Sequence, residues 1–185
     1  MNLSELGIKA RAASVLLAKM NVETKNKALI ACADALAKES NSILEANAKD
    51  VLIGREKGMN EGLVDRLMLT EERIKGIAEG LEQVAALDDP VGEVLDMKKR
   101  PNGLLIGKKR VPLGVVGMIY EARPNVTPDA FALCFKSGNA VILRGGSDAI
   151  NSNIAIVKVL QDTLKACGIT EDAVQLIEDT SHEVG

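Results

Sequence analysis

The sequence predicts an α/β protein: a helical N-terminal region, a protruding β-hairpin, and a partial Rossmann-like parallel sheet. Three observations carry this. Apolar residues recur at helical spacing through the first ninety positions, a strong turn signal separates two strand-like runs near residue 100, and strand and helix patterns alternate from Leu113 to Ile177. These divide the chain into 1–90 (helical), 91–112 (hairpin arm) and 113–185 (α/β).

In the helical region, Leu3, Leu6, Ala10, Ala13 and Leu17 mark a first helix, and Leu29, Cys32, Ala33 and Leu36 a second that follows Asn21–Thr24. Ser42 with Glu45 has the spacing of a capping box, so a third helix is expected from there to about Gly58. Thr70 followed by Glu71 and Glu72 opens a fourth, with Ile74, Ile77, Ala78, Leu81, Val84 and Ala85 on one face and Asp88–Pro90 as its end. Four amphipathic helices can form a bundle or cover a sheet, and periodicity does not choose between these.

Glu93–Lys99 and Leu104–Val111 flank Arg100-Pro101-Asn102-Gly103, which reads as a hairpin. Lys98, Lys99, Arg100, Lys108, Lys109 and Arg110 make it a basic patch on a chain of net charge −3. Such a patch can bind anions or nucleic acid; charged side chains also keep an exposed edge strand from aggregating, and this second role is favoured.

From Leu113 the α/β part begins. Val115–Tyr120 is a β-branched apolar run of strand length, Thr127-Pro128 has the form of an N-cap with proline at the first helical position, and Gly138 stops that helix. Ala140–Leu143 is a second buried strand ending on Arg144-Gly145-Gly146-Ser147. Ser147 is the expected N-cap of a helix through about Cys167, buried along Ile150, Ile154, Val157, Leu160 and Leu164 and terminated by Gly168; Ala173–Ile177 is a third strand. Short connections make the strands parallel with right-handed crossovers. A half-sheet of this kind leaves an apolar edge open, so the chain is expected to be incomplete as a functional unit.

Function concentrates at two loops. A glycine turn entering a helix offers backbone N–H groups and a positive dipole end, which suit a phosphate; a plain connection has the same appearance. Ligands of open parallel sheets lie beyond the carboxyl ends of the strands, which places the polar loop Tyr120–Asn125 and Arg144–Ser147 at one edge.

Bulk properties narrow the classes. At 185 residues and 46% hydrophobic content the chain can bury a substantial core. Its apolar runs are too short to span a bilayer, and Glu5, Lys9, Arg11 and Lys19 interrupt the start, so neither membrane nor signal peptide is expected and a cytoplasmic location is. An acidic balance and 2% aromatic residues (Tyr120, Phe131, Phe135) argue against nucleic acid. Cys32, Cys134 and Cys167 fall in apolar helical patterns and are expected buried and reduced; with His182 the single histidine, no zinc site or histidine triad is expected.

GVVGMIYEARPNVTPDAFALCFKSGNAVILRGGSDA resembles the nucleotide-binding segment of the γ-glutamyl phosphate reductases, or glutamate-5-semialdehyde dehydrogenases, of the aldehyde dehydrogenase superfamily. The resemblance extends through NAKDV (Asn47–Val51), DRLMLTEERIKGIAEGL (Asp65–Leu81) and DPVGEV (Asp89–Val94) in the family's order, and so covers the whole chain. Gly185 falls well short of the family's length. The resemblance therefore implies an aldehyde dehydrogenase-like fold with the helices packed on the sheet, the 91–112 arm meeting a neighbouring subunit or domain, and a homo-oligomer through that arm.

It also implies the reduction of L-glutamyl 5-phosphate by NADPH to glutamate 5-semialdehyde and phosphate, in proline biosynthesis. The nucleophilic cysteine would lie on a further catalytic domain absent from these residues, leaving this chain inactive alone; Cys134 reads instead as part of a packing stripe with Ala130, Leu133 and Ser137. Tyr120, Arg144, Gly145, Gly146 and Ser147 would bind NADP. Arg144 stands where relatives place a lysine on the adenosine ribose, and Ser147 near an acidic residue of NAD-preferring relatives, which favours a 2′-phosphate; Asp148 tempers this. Asn125 resembles the asparagine that stabilises the thioester oxyanion, with a turn-forming role as its alternative. Glu121 and Arg123 would bind substrate, or else pair with each other. A nucleotide-binding or assembly module without chemistry remains the alternative to the reductase.

Overall fold

A computed structural model of the chain describes residues 3–179. The elements are α1 (Leu3–Leu17), α2 (Val22–Lys38), α3 (Ser40–Glu56), α4 (Glu61–Leu67), α5 (Glu71–Ala86), β1 (Val94–Lys99), β2 (Leu105–Lys109), β3 (Val115–Ile119), α6 (Val126–Lys136), β4 (Ala140–Arg144), α7 (Ile150–Ala166) and β5 (Val174–Leu176), with 3-10 turns at Ser147–Ala149 and Glu171–Ala173. The fold is α/β, as expected, with a parallel sheet and a separate antiparallel hairpin. His182 lies outside the described residues.

Local side-chain caps start α2, α4 and α5. Asn21 Oδ1 accepts from Thr24 N at 2.8 Å and Thr70 Oγ1 accepts from Arg73 N at 3.1 Å, each holding one of the amides that a helix start leaves unpaired. α3 departs from expectation: it starts at Ser40, and Ser42, already inside it, donates its hydroxyl to Glu39 O at 2.8 Å, so no capping box forms. α4 was not expected. It has seven residues, too short for a periodic signal, and is capped by Asn60 Oδ1 accepting from Leu63 N at 2.9 Å.

β3, β4 and β5 form a parallel sheet in that order, with Val115 opposite Ala140 and Val141 opposite Val174. The crossover helices α6 and α7 pack against each other and on the sheet, α1 packs across the three strands, and α2, α3 and α5 form a further layer on α6 and α7. One continuous core runs from Ala10 to Leu176 through Leu29, Leu81, Phe131 and Leu160; each such large side chain contributes about 1.5–3 kcal/mol on burial. Gly138 ends α6 with φ +77°, a conformation that a side chain disfavours. Val157, Leu160 and Leu164 of the expected stripe are buried, together with Asn153 and Ile156, while Ile154 lies at the edge of that face and is exposed.

A buried ion pair closes the helical layers. Lys25, fully buried on α2, pairs with the Asp89 carboxylate and donates to Lys136 O at 3.1 Å. Lys136 in turn donates to Asn26 Oδ1 at 2.6 Å and Ala85 O at 2.8 Å. Burial holds the Lys136 ammonium below the usual lysine range, with Asp89 opposing the shift and Lys25 adding to it.

β1 and β2 form the expected antiparallel hairpin, with Lys99 opposite Leu105 and an irregularity between Val94 and Asp96. Both strands are largely exposed. Two of its cations are paired within it, Lys98 with Asp96 at 3.0 Å and Arg110 with Glu93 at 3.2 Å. Of the cysteines, Cys32 and Cys134 are buried but Cys167 is exposed, because it lies just past the last turn of α7.

Candidate functional site

Parallel pairing of β3 with β4 brings the two functional loops together. Ile119 lies opposite Arg144, and Tyr120 N donates to Arg144 O at 3.1 Å, so both loops leave the sheet at its carboxyl edge. A Cβ on Gly145 would lie 2.3 Å from Asn153 Nδ2 and 3.3 Å from the Tyr120 ring; one on Gly146 would lie 3.4 Å from Ala122 N. The loops thus pack directly on each other, and Gly145 is required by this chain's own packing.

A hydrogen-bonded chain supports that contact from below. Tyr120 Oη lies 2.6 Å from Thr127 Oγ1, which donates to Asn153 Oδ1 at 2.7 Å. Thr127 is therefore not the N-cap of α6, which starts at Val126 after Asn125; its hydroxyl is drawn inward to Tyr120 and Asn153. Burial raises the Tyr120 phenol above its ordinary range, partly offset by the Thr127 contact.

Asp50 occupies the start of α7. Its Oδ1 accepts from Asn151 N at 3.2 Å and Asn151 Nδ2 at 2.7 Å, while Oδ2 accepts from Ser152 N at 2.8 Å and Ser152 Oγ at 2.5 Å. Ser147 is consequently not the cap of α7: it lies in the preceding 3-10 turn. The expectation of a phosphate on the α7 N-terminus is corrected in the same way, since a buried carboxylate already holds those amides. Nearby, Asn47 donates to Leu67 O at 2.8 Å and Ser152 Oγ at 3.0 Å and accepts from Leu69 N at 2.7 Å, tying α4 to α7. The NAKDV segment thus has a structural task that its sequence did not disclose.

Arg144 is half-buried at the end of β4 and Ser147 is exposed beside it, with Asp148 half-buried. Glu121, Arg123 and Asn125 are exposed; Arg123 N donates to Glu121 O at 2.8 Å, and among the described residues their side chains form no ion pair. Arg123 and Asn125 face a cleft of about 500 Å³ whose opposite wall is the α4–α5 junction, with Asp65, Arg66 and Arg73. Asp129, one turn into α6, lines it too, and partial burial raises its carboxyl above the usual range. None of these four was expected to have a role, although three of them lie in the DRLMLTEER run.

The thiols are ill suited to nucleophilic work here. Burial pushes Cys32 up to about 12 and also raises Cys134, which disfavours the thiolate. Cys134 does lie on a packed face with Ala130, but Leu133 of the expected stripe is exposed. Cys167 is at the far end of α7, about 25 Å along the helix from the site.

No protein-family model matches the chain. It is 58% identical over 179 residues to a γ-glutamyl phosphate reductase of Lachnospira eligens, covering 97% of this chain and 43% of that protein. It is 59% identical over 175 residues to one of Caldanaerobacter subterraneus, covering 95% and 42%. Among solved structures, γ-glutamyl phosphate reductase from Thermotoga maritima superposes with a TM-score of 0.96 at 46% identity, over 100% of this chain and 44% of that one. A probable aldehyde dehydrogenase from Listeria monocytogenes, 15% identical, shares the fold with a TM-score of 0.74 over 98% of this chain and 37% of that one. The chain thus spans less than half the length of the curated relatives it matches. In sequence and in fold it corresponds to the N-terminal portion of the γ-glutamyl phosphate reductase family.

Proposed function

We propose that the chain is the cofactor-side portion of a cytoplasmic NADP-dependent glutamate-5-semialdehyde dehydrogenase, which reduces L-glutamyl 5-phosphate to the semialdehyde and phosphate in proline biosynthesis. The observation that supports this best is the packing of the Tyr120–Asn125 loop on Gly145 and Gly146 at one sheet edge.

The residues fit one end of a dinucleotide. Arg144 and the exposed Ser147 supply a cation and a hydroxyl for a ribose bearing a 2′-phosphate, with Gly145 and Gly146 letting the loops close and the Tyr120 ring forming the wall behind them. The α7 amides held by Asp50 are not donors for its pyrophosphate. When bound, the cofactor supplies the hydride. Asn125, whose side chain makes no cap hydrogen bond at the start of α6, is left to donate to a developing oxyanion, and Glu121 and Arg123 to contact substrate. The nucleophilic cysteine and its catalytic domain lie outside these residues, as the raised Cys32 and Cys134 thiols favour. The divisions 1–90, 91–112 and 113–185 follow the same reading, with the arm joining a second copy.

The test is phosphate-requiring, NADP-dependent oxidation of glutamate 5-semialdehyde by a longer chain that contains these residues. Activity there, with Asn125→Ala lowering kcat more than it raises KM, supports the proposal. No such activity in the longer chain overturns it in favour of a nucleotide-binding or assembly module. The raised thiols favour that second reading for these residues alone.

A further inference from the structure

The cleft between the α4–α5 junction and the start of α6 holds charges of both signs in an unusual arrangement. Arg73 is committed to the chain: it donates to Asp65 O and, at 2.7 Å, to Met68 O, and pairs with Asp65 Oδ1 at 2.9 Å. These contacts fix the junction, and they also engage Asp65. Arg66 on one wall and Arg123 on the other make no ion pair among the described residues, and neither does Asp129. Two cations and one carboxylate thus line a cleft of about 500 Å³ without using each other.

We propose that this cleft holds the α-amino-acid head of the substrate, Arg66 and Arg123 taking its α-carboxylate and Asp129 its α-ammonium. This rests on the reductase reading and extends it, because it assigns substrate recognition to the α4–α5 junction. The chemistry matches: a zwitterionic head presents one carboxylate, suited to guanidinium forks, and one ammonium, suited to a carboxylate. Asp129 lies against Gly80 of α5, 3.8 Å from where a side chain there would begin, and the partial burial that raises its carboxyl makes an arriving cation more effective. Asn125 lines the same cleft, so a head held there places the rest of the molecule toward the residue proposed to steady the oxyanion. A plain aldehyde would use none of the three charges.

The test uses a longer chain containing these residues, with Arg66→Ala, Arg123→Ala and Asp129→Asn. Two readouts are compared: kcat/KM for glutamate 5-semialdehyde divided by that for butanal within each variant, and calorimetric affinity for L-glutamate. The arginine variants are expected to lower the ratio and the L-glutamate affinity by at least about tenfold, with the loss in KM, and Asp129→Asn to act in the same direction. A ratio and affinity unchanged in both arginine variants overturn the proposal. If the wild type shows no dehydrogenase activity but binds L-glutamate through Arg66 and Arg123, the reductase reading fails and the amino-acid site stands.

Discussion

Asp50 on α3 caps a helix 102 residues further along the chain, its carboxylate accepting from Ser152 N at 2.8 Å and Ser152 Oγ at 2.5 Å. The residue is buried, so removing it strands several donors away from water. Asp50→Ala is expected to cost about 2–4 kcal/mol, measured by urea denaturation, and Asp50→Asn less, since an amide oxygen still accepts. A loss below about 0.5 kcal/mol in the alanine variant would show that the cap carries no stability.

Gly145 and Gly146 should respond differently to the same added methyl. At Gly145 it meets Asn153 Nδ2 at 2.3 Å, and at Gly146 the nearest atom is Ala122 N at 3.4 Å. Gly145→Ala is expected to destabilise by about 2–4 kcal/mol and Gly146→Ala by less than about 1 kcal/mol, read as thermal midpoints. Equal shifts would contradict the loop packing.

Thiol chemistry separates the three cysteines. At pH 8 a thiol reagent should label Cys167 quickly and reach Cys32 and Cys134 only after denaturation, since both are buried. Cys32 rises from 9.0 to about 12 in the fold, so its contribution to stability is fully present below pH 9.0 and lost as the pH climbs toward 12. Fast native labelling of all three would refute this.

Arg144→Ala should remove discrimination between NADPH and NADH. In a longer chain containing these residues, calorimetric titration is expected to give tighter NADPH binding in the wild type and a preference reduced by about tenfold in the variant, with NADH little affected. Equal affinities in the wild type would remove the basis for an NADP site.

What was legible in the sequence was set by neighbours close along the chain. Thr70 capped α5 as read, Gly138 ended α6, and the Arg100–Gly103 turn formed its hairpin, because each depends on a few adjacent residues. Ser42, Thr127 and Ser147 carried the same kind of signal and failed as caps. At Thr127 the hydroxyl was claimed by Tyr120 and Asn153, and at α7 the capping role passed to Asp50, both contacts set by tertiary packing. The juxtaposition of the Tyr120–Asn125 loop with Gly145 and Gly146 followed from parallel strand order, which the alternating pattern exposed. The α4–α5 wall of the cleft did not, because α4 is too short to register and its charges gain meaning only opposite Arg123 and Asp129.

The cap on α7 also orders events during synthesis. At about 5–20 residues per second, a ribosome adds the 102 residues between Asp50 and Ser152 in roughly 5–20 s, so α3 emerges long before the helix it must close. Through that interval a carboxylate destined for the interior is without the α7 donors that it accepts from in the folded chain.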